Sequence, residues 1–248
     1  MVEIMRTLKI TLAYDGTDFC GWQRQPEQRT VQGELEAALA SITQEKLSVD
    51  ASGRTDAGVH ALGQVASVAT ANEVSCETLQ RGLNAELPDD VVVTGVEDVA
   101  TDFHATLSAV RKMYRYVIDD GRAADLFRRH YTWRSYHRLD EVAMQRAASG
   151  LIGRHDFVSF QSAGSPRATT IRTIFDLRVT RHEHLIQIEV EGDGFLYNMV
   201  RAIAGTLVEV GRGARDASWP AEALAATDRS VAGPTAPPEG LFLVWVKY

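Results

Sequence analysis

The apolar residues of this chain follow the same order of periodicities twice, once in each half. In the first half they predict a strand, a helix capped by Thr30, two further strands, a second helix and a last strand. The predicted ranges are 8–14, 30–42, 47–50, 63–69, 75–84 and 91–96. This β-α-β-β-α-β order is that of the ferredoxin-like split βαβ unit.

The second half repeats that order. Its predicted strands are 113–118, 171–180, 185–191 and 241–247, and its predicted helices are 139–151 and 196–210. The sequence therefore predicts an α+β fold of two ferredoxin-like halves, residues 1–105 and 106–248, whose antiparallel sheets meet around a central cleft.

Composition predicts a cytoplasmic enzyme without a membrane anchor. None of the apolar runs approaches the roughly 20 residues that cross a bilayer. The first six residues lack the basic start and apolar stretch of a signal peptide. The two cysteines suit neither a disulfide framework nor a zinc site, so we expect reduced thiols and no bound metal.

Charge leaves the question of a nucleic-acid partner open. The net charge of −7 opposes binding to a polyanion at long range. Residues 103–138, however, carry eight basic and only three acidic side chains, interleaved with tyrosine and tryptophan. Such a cluster is ordinarily a solvated face, but arginines mixed with stacking aromatics are also what an RNA groove requires.

One short stretch places a carboxylate on a loop. Asp56 lies between two glycines in Ser52-Gly-Arg-Thr-Asp-Ala-Gly-Val-His60. Glycine permits tight turns and close approach to a ligand, so Asp56 is expected to be accessible. From these residues alone, a turn aspartate followed by a buried, structural His60 is the favoured interpretation.

This stretch resembles the catalytic motif of the TruA family of tRNA pseudouridine synthases. Further motifs of that family occur in order along nearly the whole chain. They are Tyr14-Asp-Gly-Thr-Asp-Phe-Cys-Gly-Trp-Gln23, Thr30-Val-Gln32, Phe103-His-Ala105, Arg111-Lys-Met-Tyr-Arg-Tyr116, His155-Asp-Phe157, Arg172-Thr-Ile174, Phe195-Leu196, Met199-Val-Arg201 and Ala236-Pro-Pro-Glu-Gly-Leu241.

The resemblance implies an isomerase that converts uridine to pseudouridine at positions 38–40 of the tRNA anticodon arm. It implies no cofactor, an RNA-binding cleft between the halves, and a homodimer. It also implies that Asp56 is the catalytic residue, and a carboxylate nucleophile would divide one difficult step into easier ones.

Two more catalytic residues follow from the same resemblance. Arg201 would pair with Asp56 and keep its carboxylate ionised, although a helix arginine reaching solvent is the plainer interpretation. Tyr114 would stack on the flipped base and accept a proton late in the reaction, although a strand tyrosine is usually a packing residue. Tyr116, on the same face, is expected to be structural.

Basic residues are predicted to contact the substrate. Arg54 would fill the space that the extruded uridine leaves, or it would only anchor its own turn. Arg24, next to Trp22, belongs to a glycine-bearing turn that either contacts RNA or is held by the local Asp15. Arg111 and Lys112 precede Tyr114 on a basic strand and are expected to bind phosphates.

Three alternatives remain open at the level of sequence. The first is an RNA-binding protein of the same fold without the chemistry, although binding alone would not require a carboxylate that faces a polyanion. The second is a synthase with another tRNA target position. The third is a metal-dependent hydrolase, for which the spacing of Asp56 and His60, or of Asp15 and Asp18, matches no metal site.

Overall fold

The computed structural model describes residues 5–162 and 169–248. Residues 1–4, the start of the segment on which the signal-peptide prediction rests, lie outside the described residues. The chain forms two compact units, Met1–Val110 with Leu243–Tyr248, and Arg111–Phe242. The end of the chain, Leu243–Tyr248, therefore belongs to the same unit as its first part.

The first unit has the predicted order of elements. Its strands and helices are β1 (Arg6–Tyr14), α1 (Val31–Thr43), β2 (Asp50–Ala51), β3 (His60–Thr70), α2 (Cys76–Glu86) and β4 (Val91–Val99). β1 lies between β3 and β4 and is antiparallel to both. Its alternation places Leu8, Ile10 and Leu12 in the core, where all three are fully buried.

Local sequence explains where these helices begin. The Thr30 side chain accepts a hydrogen bond from Gly33 N at the start of α1, and Ser75 does the same for Thr78 N at the start of α2. β2 is shorter than predicted, because the N–H of Val49 donates to the Glu36 carboxylate instead of to a neighbouring strand.

The last residues of the chain complete the first unit. In β10 (Leu241–Lys247), the carbonyl of Lys247 accepts from Val110 N at 2.9 Å. The Tyr248 hydroxyl donates to Ala105 O at 2.9 Å, and its ring lies 4.8 Å from that of Phe103.

The second unit has an antiparallel sheet in the order β5-β9-β8-β7, with a short β6 parallel to the end of β5. Its elements are β5 (Arg111–Asp119), β6 (Trp133–Arg134), α3 (Glu141–Ser149), β7 (Gly153–Asp156), β8 (Ile171–His182), β9 (Leu185–Gly192), α4 (Met199–Gly211) and α5 (Trp219–Ala226). The α+β class and the antiparallel pairing are confirmed, whereas β6, β7 and α5 were not predicted. Within the described residues, no helix is both long and apolar enough to cross a membrane.

Candidate functional site

Asp56 lies on the loop between β2 and β3, residues 52–59. The aspartate is half-buried, and Arg54 beside it is exposed. The loop turns sharply because Val59 N donates to Asp56 O at 3.1 Å and Gly58 takes a φ of 77°, a left-handed conformation that favours glycine. This geometry keeps the carboxylate at the surface of the first unit while its backbone is fixed.

The segment that follows β1 forms a cradle for this loop. Trp22 N donates to Thr55 O at 3.0 Å. A Cβ atom on Gly21, whose φ is 88°, would lie 2.7 Å from Thr55 O, and one on Gly16 would lie 2.1 Å from Val59 O. Since no side chain fits at either contact, both glycines are required for the Asp56 loop to occupy its place.

Buried hydrogen bonds hold the loop from below. Gln64 is fully buried, accepts from Ser52 Oγ at 2.6 Å and donates to Gly53 O at 2.8 Å and to the Tyr14 hydroxyl at 3.3 Å. The Tyr14 hydroxyl also bonds Thr55 Oγ1 at 2.7 Å. Burial raises the pKa of Tyr14 to about 12, although these hydrogen bonds lower it. The hydroxyl therefore stays protonated at neutral pH.

These supporting residues were missed at the level of sequence. Gln64 gave no signal, since its partners lie up to 50 positions away. The register of β1 against β3 also shifts between Leu12 and Tyr14, which aims the tyrosine at the loop. The glycine-bearing motif after Tyr14 was the available signal, but it was interpreted as an RNA-contacting turn.

The structure corrects that interpretation for Trp22, which is only 2% exposed and faces the protein. Asp15 Oδ1 accepts from Thr17 N at 3.0 Å, so the local hydrogen bond of the alternative interpretation is present. His60 is buried, as predicted, and its Nδ1 accepts from Gly16 N at 3.0 Å. Asp15 Oδ1 lies 3.2 Å from the same nitrogen.

Of the predicted substrate-binding residues in the first unit, Arg54 is the more available. Within the described part of the chain its guanidinium forms no hydrogen bond or ion pair. Arg24 pairs with the buried Glu36 at 3.1 Å, yet 63% of its side chain remains exposed.

Tyr114 and Tyr116 lie on the same face of β5, in the second unit. Tyr114 is 8% exposed and packs edge-on against Phe195, with ring centroids 5.0 Å apart. Tyr116 is fully buried and donates to Pro237 O at 2.7 Å, which agrees with its expected structural role.

Arg201 lies in the first turn of α4 and is half-buried. Its Nε donates to Ala236 O at 2.7 Å and its Nη1 to Asn198 Oδ1 at 2.9 Å, so the guanidinium is oriented by the protein. The segment that supplies Ala236 crosses α4 at Gly205, where a Cβ atom would lie 1.9 Å from Pro234 O. The fold therefore holds this arginine in place.

Arg111 and Lys112 lie at the start of β5. Arg111 pairs with Glu191 at 2.9 Å and stacks on the Phe175 ring at 4.3 Å, and its side chain is 47% exposed. Lys112 is half-buried on the same strand.

Several arginines of the basic cluster are occupied by ion pairs. These pairs include Arg115–Glu189, Arg134–Asp119 and Arg138–Asp120, at 2.8–3.0 Å. The two aspartates are buried, so part of the cluster is structural. Among residues 5–162 and 169–248, no three His, Cys, Asp or Glu side chains lie close enough together to hold a metal ion.

Comparison with known proteins shows to which family the chain belongs. A family model described as tRNA pseudouridine synthase matches residues 10–107 and 147–248. The chain belongs to the tRNA pseudouridine synthase family. This membership confirms the predicted family and makes the chain an isomerase. The matched ranges include Asp56 and Arg201, whereas Tyr114 falls between them.

Curated relatives of the family match over their whole length. The protein named tRNA pseudouridine synthase A in Brevibacillus brevis is 49% identical, covering 98% of this chain and 100% of that protein. Those of the same name in Moorella thermoacetica and Acetivibrio thermocellus are 48% and 45% identical with the same coverage.

Solved structures give a weaker similarity. A chain of the archaeal box H/ACA sRNP Nop10-Cbf5 complex aligns with a TM-score of 0.35 and 12% identity, covering 85% of this chain and 55% of that chain. A similarity this low supports no argument about fold or function.

Proposed function

We propose that this chain isomerises uridine to pseudouridine in tRNA, at positions 38–40 of the anticodon stem-loop. The main observation in support is the Asp56 loop, whose backbone is fixed by the hydrogen bond from Trp22 N to Thr55 O while Asp56 itself stays half-exposed. The full-length identity to proteins named tRNA pseudouridine synthase A supports tRNA as the substrate. The positions follow from the resemblance to the TruA family.

The reaction breaks the N1–C1′ glycosidic bond, turns the uracil and joins C5 to C1′. The C5 proton leaves and N1 gains one, so atoms and electrons balance without an oxidant, a group donor or a cofactor. Asp56 acts as the nucleophile. A side chain in this role must remain ionised in an enclosed site, and a rigid loop meets the requirement for exact placement better than a mobile one.

Arg201 and Tyr114 complete the proposed catalytic set. Arg201 keeps the Asp56 carboxylate charged, since an opposite charge lowers the pKa of an acid. Its fixed orientation by Asn198 and Ala236 supports this role over a solvent-facing one. Tyr114 stacks on the extruded base, and its edge-on contact with Phe195 supports a fixed ring position.

The substrate contacts are assigned to four basic residues. Arg54 enters the space left by the flipped uridine, which its exposure and lack of partners within the described residues support. Arg24, Arg111 and Lys112 contact phosphates. We further propose that the protein acts as a homodimer in the cytoplasm.

The test is to map pseudouridine in unmodified tRNA transcripts after incubation with the protein, by carbodiimide labelling and reverse transcription. With the wild type, in excess chelator as well, we expect new stops that report pseudouridine at positions 38–40, and none with Asp56→Asn. Stops at other uridines would overturn the target position alone. Binding of tRNA without any pseudouridine would favour the non-catalytic alternative, and loss of activity in chelator would favour a metal enzyme.

A further inference from the structure

The chain between β5 and α3 makes an excursion, residues 121–137, that exposes large apolar side chains. Phe127 is 87% exposed, Tyr136 89% and Leu126 64%. A single exposed apolar residue needs no explanation, but three large ones within 17 positions make the excursion a candidate for a binding surface.

The base of the excursion is rigidly held. Asp119 is 2% exposed, accepts from Gly121 N at 2.9 Å and pairs with Arg134 at 3.0 Å. Asp120 is 5% exposed and binds Arg181 through both carboxylate oxygens, at 2.9 and 3.0 Å. Buried carboxylates are stable only when paired, so these bonds fix where the excursion leaves the fold. The exposed residues are therefore presented from an anchored base.

The excursion is basic in an acidic protein. Residues 121–137 contain four arginines and one acidic residue, whereas the whole chain has a net charge of −7. Arg134 is occupied at the base. Arg122, Arg128 and Arg129 are exposed, although Arg128 Nε lies 3.6 Å from the Asp125 carboxylate and Arg129 Nη1 donates to Leu126 O at 2.7 Å. Exposed arginines beside exposed aromatic rings complement phosphates beside unpaired bases.

The family model does not cover this segment, although the curated relatives align over 98% of the chain. The matched ranges end at residue 107 and resume at 147, so the whole excursion lies between them. None of its exposed residues is one of Asp56, Tyr114 and Arg201, to which the proposed reaction assigns catalytic roles.

We propose that the excursion binds unpaired nucleotides of the RNA substrate, with a base stacked on Phe127 and phosphates on Arg128 and Arg129. The inference rests on the proposed function, since it assumes an RNA substrate. A second copy of the chain is the other possible occupant, but an acidic protein that shared only this surface would bring two basic segments together.

The test compares Phe127→Ala with Phe127→Trp, which keeps a stacking ring. We expect Phe127→Ala to weaken tRNA binding about tenfold and raise KM with little change in kcat, and Phe127→Trp to bind as the wild type does. The matched apolar control is Leu107→Ala, at an 81% exposed position outside the excursion. An unstructured RNA should compete for this site better than a duplex of equal length.

The charged contacts are tested by salt dependence. Replacing Arg128 and Arg129 with alanine should reduce the slope of log Kd against log salt by roughly 1.4 to 1.8, whereas the exposed Arg81→Ala on α2 should not change it. Unchanged Kd and KM in Phe127→Ala, beside a wild type that forms pseudouridine, would overturn the inference and leave the function standing. A wild type without activity would overturn the function instead. Loss of self-association with unchanged RNA affinity would assign the excursion to a second copy.

Discussion

Replacing Gln64 with leucine tests whether the buried hydrogen bonds place the Asp56 loop. Leucine has a similar volume, so the substitution leaves little space but removes the bonds to Ser52, Gly53, Tyr14 and Val65 N. At about 1 kcal/mol for each hydrogen bond, the free energy of unfolding should fall by about 4 kcal/mol. A protein of ordinary stability, about 5–15 kcal/mol, would remain folded.

Activity should fall more than stability can explain. A displacement of about 1 Å at a reacting group can cost about 100-fold in rate, and Gln64 fixes the loop from 2.8 Å away through Gly53 O. We therefore expect kcat to fall about 100-fold in Gln64→Leu under conditions where circular dichroism shows a folded protein. Urea unfolding and single-turnover kinetics at saturating enzyme provide the two measurements.

Thr43→Val is the matched control for this variant. Thr43 is buried in the same unit, at the end of α1, where its hydroxyl donates to Leu39 O at 2.8 Å and accepts from Glu45 N at 3.2 Å, without a bond to the loop. The variant should lose about 2 kcal/mol of stability and keep its kcat. If Gln64→Leu lost the expected stability but retained the wild-type kcat, the buried hydrogen bonds would not position the loop.

Three further substitutions separate the effects of backbone conformation from those of charge and pH. Gly21→Ala should lower both stability, by about 1 kcal/mol or more, and kcat. The control is Gly213→Ala, at a φ of 76° with no atom within 4 Å of the added Cβ, which should lose stability but keep its kcat. Urea unfolding measures the stability of the two glycine variants, and steady-state kinetics measures their kcat. An equal loss of kcat in both variants would contradict the role of Gly21 in the cradle. Burial alone would raise the pKa of Asp120, but Arg181, the Leu139 N–H and Arg138 outweigh it and lower that pKa below its ordinary 3.8. The ionised Asp120 therefore contributes its full stabilisation above about pH 4, and this contribution is lost as pH falls through the lowered pKa. Asp120→Asn should lower the free energy of unfolding by about 3 kcal/mol at pH 7 and by less at pH 3. The same difference between wild type and variant at both pH values would contradict this.

Local signals in the sequence predicted most of the elements of both units. The alternation of residues 8–14 is β1, and Thr30 and Ser75 cap the helices predicted after them. These features depend on neighbours within one strand or one helical turn, so they can be identified without a structure. Contacts between distant residues could not be identified in this way.

The candidate site shows the same division. Resemblance pointed to Asp56, but the side chains that hold its loop, Tyr14 and Gln64, are joined across strands by a register shift that no periodicity encodes. Trp22 was misassigned because an aromatic residue in a glycine-bearing turn has the same local pattern whether it faces RNA or the core. The return of residues 243–248 to the first unit is likewise a long-range contact.

Catalysis by Asp56 is tested most directly by tritium release from tRNA labelled at uracil C5, because formation of the C5–C1′ bond must expel that proton. The wild type should release tritium without an added cofactor. Asp56→Asn should bind tRNA with similar affinity and release tritium about 10⁴-fold more slowly, or more slowly still. Release by Asp56→Asn at the wild-type rate would show that this carboxylate does not carry out the reaction.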